Sequence, residues 1–364
     1  MNKNIAILIF AFTLSSCTVG RFVYYNFADI TDYKIFPSRE ITKDSTSTFH
    51  FNASIANDLV IEMNEGSSFE EYLAENKTVA FLVIHNDTIK YENYFNKYNR
   101  ESVVASFSMA KSFTSFLIGC AIEDELINSV NDPVTSYIPE LEKNGFENVT
   151  IENLLQMTSG LDFNESYVNP FGHAATFYYG RNLEKSSLKL KLKGEPNKTT
   201  EYVSGNTQLL GLVLDRVLEE KTISKYLEEK LWKKVGMEFN ATWSIDKKKK
   251  GIEKTFCCLN ARAIDFAKFG RLYLNKGNWE GNQLISKEWV EQSTKRDTQN
   301  GSAGYYQYQW WIPNREGDFM AEGILGQFIF VSPSENLIIV RLGKNYGNVN
   351  WEGTFEDIKE LVKK

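Results

Sequence analysis

Ser108 and Lys111 stand three residues apart in the stretch SFSMAKSFTSF, residues 106 to 116. The same Ser-x-x-Lys spacing recurs at Ser186 with Lys189 and at Ser244 with Lys247, so the surroundings must choose among the three. Only Ser108 is followed by a run, MAKSFTSFLIGCAIEDELI, that is apolar on nearly every face, which predicts a helix sunk in a core. Residues three apart share a helix face, so the Lys111 amine comes within reach of the Ser108 hydroxyl. An enclosed lysine is partly desolvated, and its pKa falls toward a proton-accepting form. The helix start adds positive potential and free backbone N–H groups for an oxyanion. Ser186 and Ser244 lie in Lys-rich polar segments without such a helix and read as chance matches. The non-catalytic alternative for Ser108 is a helix N-cap followed by a lysine that snorkels to solvent.

Other hydrolytic chemistries find little support. The three histidines, His50, His85 and His173, are far apart and in no metal-ligand spacing. No G-x-S-x-G pentapeptide marks a nucleophile elbow, so a serine enzyme built from this chain does not take histidine as its base. Of the four cysteines, Cys120 lies in an apolar stretch and Cys257 and Cys258 are adjacent, which is no disulfide framework; buried thiols are the expectation. Neither a metal nor an organic cofactor is expected. Lys and Arg number 41 against 47 Asp and Glu, a net charge of -6 that speaks against a nucleic acid partner.

The opening MNKNIAILIFAFTLSSCTVG places Lys3 before the apolar run Ile5 to Leu14 and small residues before Cys17. That is the layout of a secretory signal, too short to span a bilayer comfortably. LSSC resembles a bacterial lipobox, so Cys17 is the expected lipidation site; ordinary cleavage or an uncleaved anchor are the alternatives. The expected product is an exported lipoprotein, held to a membrane by its lipid alone and facing the periplasm.

The elements that must position Ser108 follow from periodicity. Residues 18 to 55 read as a tether and irregular wrap. SFEEYLAENKT predicts a helix leading into TVAFLVIHNDTIKYENYF, two strand-like runs about the turn signal Asn86-Asp87. GQFIFVSPSENLIIVRLG repeats that design near the C-terminus, followed by a helix from Gly353 to Lys363. The middle, roughly 110 to 300, carries helical periodicity, as in TQLLGLVLDRVLEE and IDFAKFGRLYLNKG. Two distant hairpins around a helical insert predict an α+β fold: one antiparallel sheet built from both ends, flanked by helices. A chain of 364 residues has ample core for this.

The order of these motifs resembles the serine β-lactamase and penicillin-binding protein superfamily. There an S-x-x-K serine opens a core helix, a Tyr-x-Asn or Tyr-x-Ser element follows in the helical insert, and a K-T-G-like strand closes the site. EYVSGNTQLLGLVLDRV supplies Tyr202 and Ser204, and GILGQFIFV supplies the closing strand. LLQMTSGLDF, LWKKVGMEFNATWSID and ARAIDFAKFGRLYLNKGNWEGNQLIS are similar to segments of class C β-lactamase-related esterases and 6-aminohexanoate-dimer hydrolases. The resemblance spans about residues 75 to 345 and implies a β-lactamase/transpeptidase-like domain over 56–364, after the leader 1–17 and the wrap 18–55. It implies Ser108 as nucleophile, Lys111 as its activator, Tyr202 as proton shuttle and Ser204 in place of the usual asparagine. The backbone N–H groups of Ser108 and Gln327 are the expected oxyanion donors, with Gly326 letting the strand approach.

The sequence departs from the K-T-G pattern where it reads Ile324-Leu325-Gly326, without the cation and hydroxyl that hold a β-lactam carboxylate. An esterase or amidase acting on small-molecule or peptide-like substrates is the expectation. A catalytically weak penicillin-binding or sensor-like domain of the same fold is the alternative. Tyr167 and Tyr178, in NESYVNPFGHAATFYY, read as loop aromatics.

Overall fold

The computed structural model describes residues 18–25, 27–53, 61 and 68–363. The leader and Cys17 therefore lie outside the described residues. The helices that matter for the site are α1 (Thr18–Tyr25), α2 (Phe69–Glu75), α3 (Ala110–Glu123), α4 (His173–Tyr179), α5 (Ser204–Val217), α6 (Ala263–Leu274) and α7 (Trp351–Val362). The long strands are β1 (Thr78–His85), β2 (Thr88–Tyr94), β3 (Phe319–Gly323), β4 (Gln327–Ser332) and β5 (Leu337–Gly343).

One eight-stranded sheet joins the two ends of the chain, in the order Tyr306–Gln307, Trp310–Trp311, β3, β4, β5, β1, β2, Asn52–Ala53. Its pairings are antiparallel except the short Asn52–Ala53, which runs parallel to β2. The C-terminal hairpin slots against β1, with Val340 opposite Leu82 and Ile338 opposite Ile84. Central strands covered on both faces need apolar side chains at every position, which is why TVAFLVIH does not alternate. Leu82, Ile84, Ile329 and Val331 face the main core with α3 and α6; Phe81, Val83, Phe328 and Phe330 face a second core with Phe69 of α2 and Trp351, Phe355 and Ile358 of α7.

A second sheet of four short strands, Ser38–Ile41, Ala241–Ser244, Leu259–Ala261 and Val104–Ala105, leads the chain to Ser108. The segment expected as an irregular wrap thus carries a helix and two short paired strands. It is bound to the body: Arg39 pairs with Glu253 at 2.6 Å, and the Thr42 N–H donates to Glu228 at 2.8 Å.

Candidate active site

Ser108 lies on a 3-10 turn, Phe107–Met109, between the strand Val104–Ala105 and the start of α3 at Ala110. Phe107 is held at φ +45°, where a bulky side chain costs about 1–3 kcal/mol, and its ring is buried. The strain leaves Ser108 half-buried at the head of a helix whose next turn is sealed: Lys111 is only 1% exposed. The Lys111 Nζ stands 3.0 Å from Ser108 Oγ and 3.0 Å from Ser204 Oγ, and donates to the Phe256 carbonyl at 3.1 Å. Burial lowers its pKa to about 8, against an upward pull from the Glu165 carboxylate.

Tyr202 precedes α5 and sets its ring centroid 4.9 Å from Lys111 Nζ. Burial pushes its phenol well above the ordinary value, and the neighbouring Ser108 hydroxyl opposes that rise. A lowered amine beside a raised phenol favours two neutral groups. An ammonium–phenolate pair is the less stable arrangement here.

Ser204 is the first residue of α5 and does two jobs. Its hydroxyl receives Lys111 and donates to Glu165 Oε1 at 2.6 Å, while its N–H donates to Glu165 Oε2 at 2.7 Å. A carboxylate on the free N–H groups of a helix start is favourably placed. Tyr167 closes the chain by donating to Glu165 Oε1 at 2.8 Å. The sequence reading missed Glu165, whose only signal is an acidic residue in the loop after Leu161–Asp162. Tyr178, by contrast, donates to Asp32 at 2.7 Å.

The glycine that faces the nucleophile lies three residues before the expected Gly326. Ile324-Leu325-Gly326 is the bend between β3 and β4, with Gly323 paired to Gln327. The residue that lies against the nucleophile is Gly323: a Cβ there would stand 2.3 Å from the Ser106 carbonyl oxygen and 3.1 Å from the Ser108 nitrogen. Gly326 instead makes room for Arg341, whose Nη1 would meet its Cβ at 2.0 Å and donates to its carbonyl at 2.6 Å. Gln327 faces the same way, its Nε2 donating to the Gly343 carbonyl at 2.7 Å and its Oε1 accepting the Gly343 N–H at 3.1 Å. Both residues shape the bend without lining the cavities at Ser108, whereas Ile324 lines both and Leu325 the larger one.

Two cavities meet at Ser108. The larger, about 250 Å3, is apolar and bounded by Phe22, Phe27, Phe107, Phe256, Cys257 and Leu325. The smaller, about 80 Å3, is bounded by Tyr202, Trp311, Glu322, Gly323 and Tyr346. Cys257 and Cys258, expected as separate buried thiols, are joined in a vicinal disulfide, with Cys258 at φ +69°; Cys120 is a buried thiol. Ser186 sits on the short helix Leu183–Ser187 and meets Lys189 through a backbone bond, while Ser244 Oγ accepts from Asn260 and the Lys247 amine donates to Asn182; among the described residues no hydrogen bond joins either hydroxyl to its lysine amine. One group of three carboxylates, Glu316, Asp318 and Glu356, encloses the Lys359 ammonium, which is 2.6 Å from the first two.

The Beta-lactamase family model matches residues 67–359. The chain belongs to that family. A 6-aminohexanoate-dimer hydrolase of Paenarthrobacter ureafaciens is 27% identical over 299 residues, 75% of this chain and 74% of the relative. The structure of a putative 6-aminohexanoate-dimer hydrolase from Bacillus anthracis superposes with a TM-score of 0.80 at 26% identity, covering 92% of this chain and 93% of that one. A family VIII carboxylesterase shares the fold at a TM-score of 0.64 and 16% identity, over 81% and 95% of the two chains. The α+β, β-lactamase/transpeptidase-like architecture expected from the sequence is the observed one, and this Beta-lactamase family member is a hydrolase with esterase- and amidase-type relatives.

Proposed function

We propose that the chain hydrolyses ester or amide bonds through an acyl-enzyme on Ser108. The observation that carries this reading is the buried Lys111 amine, 3.0 Å from Ser108 Oγ and lowered to about pKa 8. In its neutral form the amine takes the Ser108 proton as Oγ bonds to the substrate carbonyl carbon. The oxyanion is received by the N–H of Ser108 and that of Ile324, which follows Gly323 on the strand above. Tyr202 gives its phenolic proton to the leaving atom as the scissile bond breaks, and is reprotonated from the Lys111 ammonium. Water then attacks the acyl carbon, yielding a proton back through the same pair, and the carboxylic acid leaves as Ser108 recovers its hydroxyl. Ser204 and Glu165 position the amine. No step requires a metal or organic cofactor.

Two measurements test this. Ser108→Ala should abolish turnover of a short-chain nitrophenyl ester and labelling by a fluorophosphonate, while Ser186→Ala and Ser244→Ala retain both; comparable activity in Ser108→Ala overturns the reading. The kcat/KM profile should rise with pH through about 8, because Lys111 must lose its proton to act. A profile flat from pH 6 to 9 removes Lys111 from the base role.

We further propose that lipid on Cys17 holds this body at a membrane, facing the periplasm. In support, α1 begins at the very next residue and packs on α4, with Phe22 against Tyr179 at 5.7 Å, while Val23 and Tyr24 stay exposed. An alkyne fatty acid should mark the wild-type protein and not Cys17→Ser; an unmarked wild type refutes it.

A further inference from the structure

We propose that the smaller cavity is a cation site, in which Glu322 and the surrounding rings bind an alkylammonium group carried by the leaving portion of the substrate. This rests on the hydrolase reading above. Tyr202, the proton donor to the leaving atom, lines the smaller cavity and not the larger one. The larger apolar cavity therefore takes the acyl side, and whatever departs lies among Tyr202, Trp311, Glu322 and Tyr346.

Those four groups have the chemistry of a cation receptor. Glu322 accepts one hydrogen bond, from the Tyr346 hydroxyl at 3.0 Å, and joins no ion pair among the described residues. A carboxylate has room for about four acceptor contacts, so most of its capacity is open. Burial raises its pKa, the Tyr346 hydrogen bond opposes that, and Glu352 adds to the rise; an incoming cation would relieve that cost. The rings supply the rest. Trp311 tilts over Tyr202 at 5.3 Å, Tyr305 stacks behind Trp311 at 6.2 Å, and Tyr306 meets both Tyr202 and Trp311 edge-on at 5.5 and 5.0 Å. Aromatic faces held rigidly beside a carboxylate attract an ammonium both by the ring quadrupole and by charge.

The sign of the field agrees. Glu165 and Glu322 both act on Tyr202 through space, whereas Lys111 lies behind it with its hydrogen bonds taken. An anionic group beside the scissile bond, such as a β-lactam carboxylate, meets repulsion where an ammonium meets attraction. The volume, about 80 Å3, suits an ammonium and its first methylenes.

The test compares three butyrate esters that differ only at the far end of the alcohol: 5-aminopentyl, n-hexyl and 5-carboxypentyl, with acid release followed in a pH-stat at pH 7. The wild-type enzyme should favour the ammonium over the methyl ester by about tenfold or more in kcat/KM, with the carboxylate ester slowest. Glu322→Gln should bring the ammonium-to-methyl ratio close to one. Competition on the wild-type protein needs no variant: n-pentylammonium should inhibit n-hexyl butyrate hydrolysis more strongly than 1-hexanol does. Equal rates on the three esters, equal inhibition by the two competitors, or a preference that survives in Glu322→Gln each overturn the cation site. Labelling of Ser108 by a fluorophosphonate in the same preparation separates the two claims, because an unlabelled serine with no ester turnover overturns the hydrolase reading itself.

Discussion

The β1–β2 hairpin turns at Asn86-Asp87, with φ of 52° and 56°, and the β3–β4 hairpin turns at Ile324-Leu325-Gly326, with Leu325 at 67° and Gly326 at 81°. The two belong to one sheet and both bend through the left-handed region. Asn and Asp tolerate that region because their short polar side chains bond locally, so the first turn is written in its own residues. Leucine does not, and Leu325 stays there because distant groups hold it. Gln327 grips both backbone groups of Gly343, and Arg341, fully buried, donates to the carbonyls of Gly326, Asn76 and Asn345. The hairpin with the imposed geometry is the one that overlies Ser108. A turn that must present groups to a substrate cannot also choose its own residues for comfort.

The comparison breaks most visibly at Gly323. An alanine methyl would stand 2.3 Å from the Ser106 carbonyl oxygen, and neither backbone can retreat without moving the Ser108 turn. Since misplacing reacting groups by about 1 Å costs on the order of 100-fold, Gly323→Ala should lower kcat/KM on a nitrophenyl ester by about that factor. Activity within threefold of wild type would show that the strand does not bear on Ser108. Gln327→Ala is the next step down. It strips the Gly343 N–H and carbonyl of their buried partner, at about 1–3 kcal/mol for an unsatisfied group, and frees the bend. The urea midpoint and kcat/KM should fall together. A loss of stability with full activity would mean that the bend keeps its shape without Gln327.

These same two hairpins explain what was legible in the sequence. The Asn86-Asp87 turn and the Ser108–Lys111 pair were readable because each depends on neighbours within a few residues, through turn chemistry or the helical repeat, and the two hairpins of the sheet were readable by the same local signals although their pairing joins distant residues. Gly326 and Gln327 were assigned to the substrate side because the text GILGQF does not say which glycine the strand register brings to Ser108. The answer lies in the pairing of Gly323 with Gln327 and in Arg341, whose side chain occupies the space beside Gly326. Glu165 was invisible for the same reason, since its partner Ser204 is 39 positions away. The Phe22 wall of the larger cavity depends on packing of α1 against α4, which nothing in residues 18 to 25 announces.

The smallest effect sharpens the contrast from the side of the self-sufficient turn. At Asn86, φ is +52° and the side-chain oxygen accepts from Asn336 Nδ2 at 2.7 Å. Alanine loses that exposed bond and adopts the left-handed region less willingly than asparagine, a strain of about 1 kcal/mol. Glycine loses the same bond but adopts the conformation freely. Asn86→Ala should therefore lower stability by about 1 kcal/mol, and Asn86→Gly by less, while both keep wild-type kcat/KM because this turn touches neither cavity. Urea unfolding of the two variants beside ester turnover decides the point. If alanine and glycine cost the same, the turn is held from outside like the other one, through Asn336 and the Arg271–Asp87 ion pair at 2.6 Å, and the distinction between the hairpins fails.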